Sequence, residues 1–173
     1  MTDIANAIYS KTDAVMLSGE TAFGSYPVES VRTMATIARE VEQSRGDFHK
    51  TPIVVLSSKT SAYLSKSAVE ASIKLDARFI VADTATGRTL RNIAGFRGRK
   101  PIIAQCYDKR VMRELSLSFG IFPNYMEANT PNGFIKESLI YIHEKKLMEK
   151  DEIVVILGGN YGESHGASFI EIS

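Results

Sequence analysis

Short, mostly apolar runs that alternate with helix-like segments constrain the fold of this chain more than any other feature. Residues 102–106 (IIAQC) and 153–157 (IVVIL) contain no charged side chain, and residues 78–89 (RFIVADTATGRT) begin with a similar run. Strands buried on both faces of a parallel sheet have this composition, and helical crossovers join them. Residues 121–126 continue the series, and residues 169–172 follow the fourth strand without an intervening helix pattern. We therefore predict an α/β fold: a five-stranded, mostly parallel sheet with helices on both faces and an antiparallel last strand.

Helical spacing of apolar residues predicts the helices around these strands. Pro27 stands at the favoured first position of one helix, and residues 61–75 form another. Asp108 is placed to cap a helix that Gly120 ends, and Thr130-Pro131 starts a long helix before the fourth strand. Residues 53–56 (IVVL) have the composition of a strand, but an apolar linker can have it too.

The turn after the first strand has the composition of an anion site. Thr84, Thr86 and Thr89 supply hydroxyls, Gly87 permits a tight turn, and Arg88 can contact a phosphate with two N–H groups. A helix start also leaves backbone N–H groups unpaired at the positive end of the helix dipole. A plain helix cap beside solvated arginines has the same residues, so the turn alone leaves both interpretations open.

Positive charge is concentrated after this turn. No acidic residue occurs between positions 84 and 107, and that window holds the cations Arg88, Arg91, Arg97, Arg99 and Lys100. The formal net charge of the chain is only +1, so we interpret this excess of five cations as a feature of the anion site rather than of the whole surface, and it gives no indication of bulk nucleic-acid binding. If the first and fourth strands are neighbours, the 84–89 turn and the glycine-rich loop 158–166 flank one crevice at the carboxyl edge of the sheet.

Composition predicts a soluble, cytoplasmic protein that does not bind membranes. The chain has 173 residues, of which 44% are hydrophobic and 24% charged, and it contains no apolar run near the ~20 residues that span a bilayer. It shows no secretory signal pattern, and its single cysteine, Cys106, fits a reducing compartment. The three histidines are scattered without metal-ligand spacing, so we predict no metal site.

The first 45 residues do not form a closed unit on their own. Residues 2–9 and the segment from Pro27 are helix-like, and residues 13–17 (DAVML) have the composition of a strand buried on both faces. Such a strand needs neighbours on both edges, which these residues do not supply. We therefore predict two domains, a remnant of a larger barrel in residues 1–45 and an α/β domain in residues 46–173, with the boundary in the polar stretch 43–47.

Several segments closely resemble the pyruvate kinase family. They are residues 3–7 (DIANA), 13–21 (DAVMLSGET), 26–42 (YPVESVRTMATIAREVE), 67–72 (SAVEAS), 97–104 (RGRKPIIA) and 120–123 (GIFP), together with the Thr-x-Thr-Gly-Arg-Thr turn. Their residues, order and spacing resemble those at the end of the family's (β/α)8 barrel and in the carboxyl-terminal domain that follows it.

The resemblance implies a fragment of an enzyme that transfers phosphate from phosphoenolpyruvate to ADP. The family's catalytic lysine and its Mg²⁺ and K⁺ sites lie earlier, so we expect no catalytic residue, metal site or cofactor here, and an inactive fragment. Of the active-site rim only Ser18, Gly19, Glu20 and Thr21 remain. The family's effector-phosphate role falls on Thr84, Thr86, Gly87, Arg88 and Thr89, and its carboxyl-terminal domain is regulatory and helps to form a tetramer.

The chain departs from members that are activated by fructose 1,6-bisphosphate. It has no tryptophan, and neither its last loop (Asn160-Tyr161-Gly162) nor the segment from Thr130 to Phe134 offers a cation for a second phosphate. We expect a sugar monophosphate, a nucleotide or no effector rather than the bisphosphate. We also expect self-association through the edge strand at residues 169–172.

Two other functions compete with this interpretation. A free-standing module that binds a phosphorylated ligand could have the same fold, but it has no reason to retain a barrel strand and its active-site loop at residues 13–21. A small independent α/β enzyme would need a nucleophile and a base, and no Gly-x-Ser-x-Gly motif is present.

Overall fold

A computed structural model of the chain describes residues 2–44, 58–127, 133–159 and 166–173. The chain divides into two compact units, Met1–Phe48 and His49–Ser173, which are described separately. The predicted strand at 53–56 and the predicted helix start at Thr130-Pro131 lie outside the described residues, as do most of the 158–166 loop and part of the 43–47 boundary.

The first unit is helical where it is described. Its helices are α1 (Thr2–Tyr9), α2 (Gly19–Ala22) and α3 (Pro27–Ser44), and the Tyr9 hydroxyl lies 3.0 Å from Ser44 Oγ. The prediction of a strand at residues 13–17 is wrong, because this segment has no regular secondary structure and pairs with no strand in the described part of the unit. Large apolar side chains stay exposed as a result, among them Met16 at 86% and Phe23 at 94%.

The second unit contains a five-stranded sheet, as predicted. The strands are β1 (Phe79–Thr84), β2 (Ile102–Cys106), β3 (Ile121–Tyr125), β4 (Val154–Gly159) and β5 (Ala167–Ile172), in the spatial order β3-β2-β1-β4-β5. All neighbours are parallel except β4 and β5, which are antiparallel. β1 and β4 are neighbours, so the condition for a shared crevice at their carboxyl ends is met.

Helices α4 (Lys59–Lys74), α5 (Arg88–Gly95), α6 (Lys109–Leu115) and α7 (Gly133–Glu144) complete the second unit. Asp108 caps α6 as predicted, since its Oδ1 accepts from the backbone N–H of Arg110 at 2.7 Å and of Val111 at 3.0 Å. The prediction that Gly120 ends this helix is wrong. α6 ends at Leu115, and Gly120 adopts φ +68° in the turn just before β3.

Two apolar layers enclose the sheet. On the first face, Leu90 and Ile93 of α5 and Leu115 of α6 are buried with α4 against alternate strand residues. On the second face, Phe134 and Ile142 of α7 pack against the other set. The sheet therefore has helices on both faces, and the strand side chains of the central strands are buried on each, which explains their continuous apolar composition.

Candidate functional site

The 84–89 turn lies where the winding of the sheet reverses. From β1 the chain passes through α5 to β2 and on to β3, and it returns through α7 to β4 on the other side of β1. In open α/β sheets, ligands bind outside the carboxyl ends of the strands at such a reversal. Topology alone therefore marks this turn as the candidate site.

A backbone-to-side-chain hydrogen bond shapes the turn. Thr84 is buried, and its Oγ1 accepts from the backbone N–H of Gly87 at 2.7 Å. Gly87 adopts φ +81° at the N-cap of α5, and no side chain of the described residues caps this end of the helix. Since the first N–H groups of a helix have no partner within it, those at residues 88–90 are available to an anion.

Two arginines lie at the turn. Arg88 is exposed, and its Nε donates to Thr86 Oγ1 at 3.3 Å. Arg91 donates from Nη1 to the Thr86 carbonyl oxygen at 3.2 Å and from Nη2 to Glu114 Oε2 at 3.2 Å. Arg91 is therefore engaged in holding the turn and in an ion pair, whereas Arg88 is exposed beside the start of α5.

The positive charges of the 84–107 window do not converge on the turn. The Arg97 guanidinium lies 4.7 Å from the centroid of the Phe119 ring, and Lys100 Nζ pairs with Asp76 Oδ1 at 2.6 Å. Both residues follow the carboxyl end of α5, a helix of eight residues that separates them from the turn by about 12 Å. The inference that all five cations surround one site was therefore wrong, because sequence proximity ignored the length of α5.

The structure adds neighbours to the turn that the sequence pattern did not indicate. Ser61, in the first turn of α4, is 1% exposed, and its Oγ has no hydrogen-bond partner in the described part of the chain. A Cβ built on Gly166 would lie 3.1 Å from Ser61 Oγ and 3.9 Å from Thr89 Oγ1, so the starts of α4 and α5 meet at Gly166. Asn92 likewise buries both side-chain polar atoms without a partner there. Asn92 lies in the middle of α5, so only the Ser61 hydroxyl is an unpaired buried group beside the helix start, and such groups are rare in proteins.

The four rim residues of the first unit contact one another. Glu20 Oε2 accepts from the backbone N–H of Ser18 at 3.0 Å, and Thr21 Oγ1 donates to the Ser18 carbonyl oxygen at 3.1 Å. Hydrogen bonds from the backbone N–H groups of Glu20 and Ser18 hold the pKa of the Glu20 carboxyl below its usual value. All but one of the four are exposed, Thr21 being half-buried, and a Cβ on Gly19 would meet nothing within 4 Å.

The comparisons with known proteins cover the entire chain. The family model "Pyruvate kinase, alpha/beta domain" matches residues 62–173, and "Pyruvate kinase, barrel domain" matches residues 1–31. The chain belongs to the pyruvate kinase family. It is 36% identical to the pyruvate kinase of Borreliella burgdorferi over 100% of its own length, and 34% identical to that of Bacillus licheniformis over 98%. It spans 37% and 30% of these two relatives, or about a third of their length.

Membership of the pyruvate kinase family confirms the resemblance carried by the sequence motifs. The barrel match includes the rim residues Ser18 to Thr21, and the α/β match includes the whole 84–89 turn. Among the residues that the structure describes, no group of three or more His, Cys, Asp or Glu side chains is placed to hold a metal ion. The described residues therefore offer no carboxylate cluster of the kind that holds Mg²⁺. No helix in the described ranges is long and apolar enough to cross a membrane.

Proposed function

We propose that this chain is the carboxyl-terminal regulatory and assembly region of a pyruvate kinase, with a barrel remnant in residues 1–45 and the regulatory domain in residues 46–173. The parent enzyme transfers the phosphoryl group of phosphoenolpyruvate to ADP in glycolysis, in the cytoplasm, with Mg²⁺ and K⁺ held by its preceding part. The fragment itself binds a phosphorylated effector and does not catalyse the reaction.

The effector proposal rests on the amino end of α5, where the first backbone N–H groups of the helix are available to an anion. The bond from Gly87 N–H to Thr84 Oγ1 fixes the backbone so that α5 begins at the carboxyl edge of the sheet with its first N–H groups unpaired. A phosphate oxygen can accept from such groups, and the helix dipole favours its negative charge. No acidic residue lies within the turn to oppose an anion.

Each residue of the turn has a distinct role in this proposal. Thr84 and Gly87 shape the backbone, Thr86 holds Arg88 through the 3.3 Å contact, and Arg88 contributes the charge-assisted hydrogen bonds. Thr89 is 9% exposed and adds a hydroxyl on the side of Gly166. Among the described residues, the turn offers this group of donors and one exposed arginine, which suits a single phosphate monoester better than a bisphosphate.

Calorimetric titration of the 173-residue chain with glucose 6-phosphate tests the effector site. Arg88→Ala should weaken binding roughly ten- to hundredfold, the usual effect of losing a hydrogen bond to a charged group. Arg113→Ala is the matched control, since it removes the same charge from the last turn of α6 and should leave the affinity unchanged. Equal affinities for the chain and its Arg88→Ala variant would contradict the proposal, and fructose 1,6-bisphosphate should bind no more tightly than the monophosphate.

The absence of catalysis is tested separately. Phosphoryl transfer depends on positioned metal ions and cations around the transferred group, and the proposal assigns all of these to the preceding part of the enzyme. The isolated chain should therefore form no pyruvate from phosphoenolpyruvate and ADP in the presence of Mg²⁺ and K⁺. Measurable turnover that survives repeated purification would contradict this part of the proposal without affecting the effector site.

Self-association is proposed through β5, the edge strand of the sheet. Ser173 and Val154 exchange both backbone hydrogen bonds, at 3.1 and 2.8 Å, so the N–H of Ile172 points away from β4 and towards a partner strand. Two copies of one edge can pair about a twofold axis. Light scattering should give a dimer for the chain and for Ile172→Val, and a monomer for Ile172→Pro, which removes the outward donor. A monomeric wild-type chain at micromolar concentration would contradict this assignment.

A further inference from the structure

A row of polar side chains crosses the otherwise apolar second face of the sheet. Asp83 of β1 pairs in register with Gln105 of β2, and Gln105 pairs with Asn124 of β3. Paired residues of parallel strands point to the same face, so the three side chains form one row, near the carboxyl edge. The residues before them on the same face, including Val81 and Ile103, belong to the apolar layer under α7.

Each side chain of the row is held by a hydrogen bond. The Tyr107 hydroxyl donates to Asp83 Oδ2 at 2.8 Å, and Asn124 Nδ2 donates to Gln105 Oε1 at 3.1 Å. Burial raises the pKa of Asp83, and Gln105 is only 1% exposed. Burial of a side-chain amide costs free energy unless its N–H and C=O groups are hydrogen-bonded. The amides of this row therefore need hydrogen-bond partners beyond the one bond that joins them.

An open cleft of about 440 Å³ lies over the β2 and β3 part of this row. The described residues that line it are Gln105, Asn124, Tyr125, Met126, Glu127 and Glu137. We call it the amide cleft, since the two linked amides of Gln105 and Asn124 lie at its wall. It is distinct from the 84–89 turn, none of whose residues lines it.

The two amides offer a ligand one donor and one acceptor side by side. Asn124 uses an N–H on Gln105 Oε1, which leaves Asn124 Oδ1 as an acceptor and Gln105 Nε2 as a donor. Neither of these atoms has another hydrogen-bond partner among the described residues. A ligand that carries an adjacent N–H and carbonyl, or an N–H and ring nitrogen, satisfies both amides at once.

The described lining of the cleft does not favour an anion as the ligand. Its described lining includes the carboxylates of Glu127 and Glu137 but no lysine or arginine. Lys109 Nζ lies 4.9 Å from the centroid of the Tyr125 ring. A phosphate or carboxylate would find no positively charged partner in this lining, whereas an uncharged planar group could pack against the apolar Met126.

We propose that the amide cleft binds an uncharged ligand through an amide-like edge. Primary carboxamides and nucleobases both carry this edge, and the cleft recognises it through Asn124 Oδ1 and Gln105 Nε2. The site is additional to the phosphate site at the 84–89 turn, so either can exist without the other.

Side-chain amide NMR of the ¹⁵N-labelled 173-residue chain tests the proposal directly. Nicotinamide, as a carboxamide, and cytidine, as a nucleobase, are titrated separately to millimolar concentration. Saturable shifts of the Gln105 and Asn124 NH₂ signals with either probe support the site. Comparison of the two affinities shows whether the site prefers a carboxamide or a nucleobase. N,N-dimethylnicotinamide keeps the carbonyl but lacks the N–H, so it should produce no saturable shift.

Variants separate this site from nonspecific binding. Asn124→Val should weaken the probe's affinity about tenfold or more, whereas Asn6→Val on an exposed position of α1 should not change it. Arg88→Ala, which weakens phosphate binding, should also leave it unchanged. Absence of shifts at Gln105 and Asn124 with both probes, or equal shifts with the dimethylated compound, would overturn the proposal even if Asn124→Val failed to fold.

Discussion

Substitution of Gly87 by alanine tests whether the backbone of the 84–89 turn is as constrained as the structure indicates. Gly87 has φ +81°, where an L-residue costs about 1–2 kcal/mol, and a new Cβ would lie 2.7 Å from Arg91 Nη1. The guanidinium would have to move and lose its bond to the Thr86 carbonyl, worth about 1 kcal/mol. Its half-exposed pair with Glu114 adds less than about 1 kcal/mol. We therefore expect Gly87→Ala to lower the free energy of unfolding by about 2–3 kcal/mol.

The control for this experiment lies in the same helix. Gly95, the last residue of α5, has no atom within 4 Å of a new Cβ and no positive φ, so Gly95→Ala should leave stability unchanged or raise it by up to about 1 kcal/mol. Urea unfolding followed by circular dichroism measures both variants. The Gly87→Ala variant should bind phosphate more weakly, because the backbone N–H groups that follow residue 87 change direction. The Gly95→Ala variant should bind phosphate as tightly as the unchanged chain. If the two alanine variants unfold at the same urea concentration, the argument from backbone strain is refuted.

Three further predictions concern single residues of the second unit. Burial raises the pKa of Asp83 above its ordinary 3.8, so the folded chain binds this proton more tightly than the unfolded chain and stability should fall as pH rises from about 4. Asp83→Asn should remove that fall in urea midpoints measured from pH 4 to 7, and an unchanged slope would contradict the assignment. Leu115→Ala at a 0% exposed core position should cost about 2–5 kcal/mol, and Leu117→Ala at 70% exposure less than about 0.5. Burial also raises the pKa of Cys106 to about 11, so iodoacetamide at pH 8 should alkylate it only after urea is added.

The sheet could be predicted from sequence because strands that are buried on both faces consist almost entirely of apolar residues. The predicted strand at residues 102–106 has the bounds of β2, and all five of its residues are buried. Residues 13–17 have a similar apolar composition but form no strand in this structure. An apolar composition indicates that a segment can form a strand buried on both faces. It does not indicate which neighbouring strands the segment pairs with.

The candidate site could be predicted only where its residues are consecutive. The 84–89 turn was found because strand, glycine and helix start follow one another in the chain. Arg97 and Lys100 were wrongly included, since the axis of α5 carries them away from the turn. Ser61 could not be found, because it reaches Gly166 through tertiary packing.

The polar row of the amide cleft was also beyond sequence reasoning. Asp83, Gln105 and Asn124 come from separate strands, and only the register between β1, β2 and β3 places them side by side. A register shift of one residue would turn each side chain to the opposite face. Strand register depends on the packing of the whole sheet, and no local pattern in this sequence specifies it.

The central claim, that the amino end of α5 receives a phosphate, is tested most directly by backbone amide NMR of the 173-residue chain titrated with glucose 6-phosphate. The account predicts saturable shifts that are largest at the N–H groups of Arg88, Thr89 and Leu90, and their loss in the Arg88→Ala variant. Shifts centred elsewhere on the chain, or none at millimolar ligand, would contradict it.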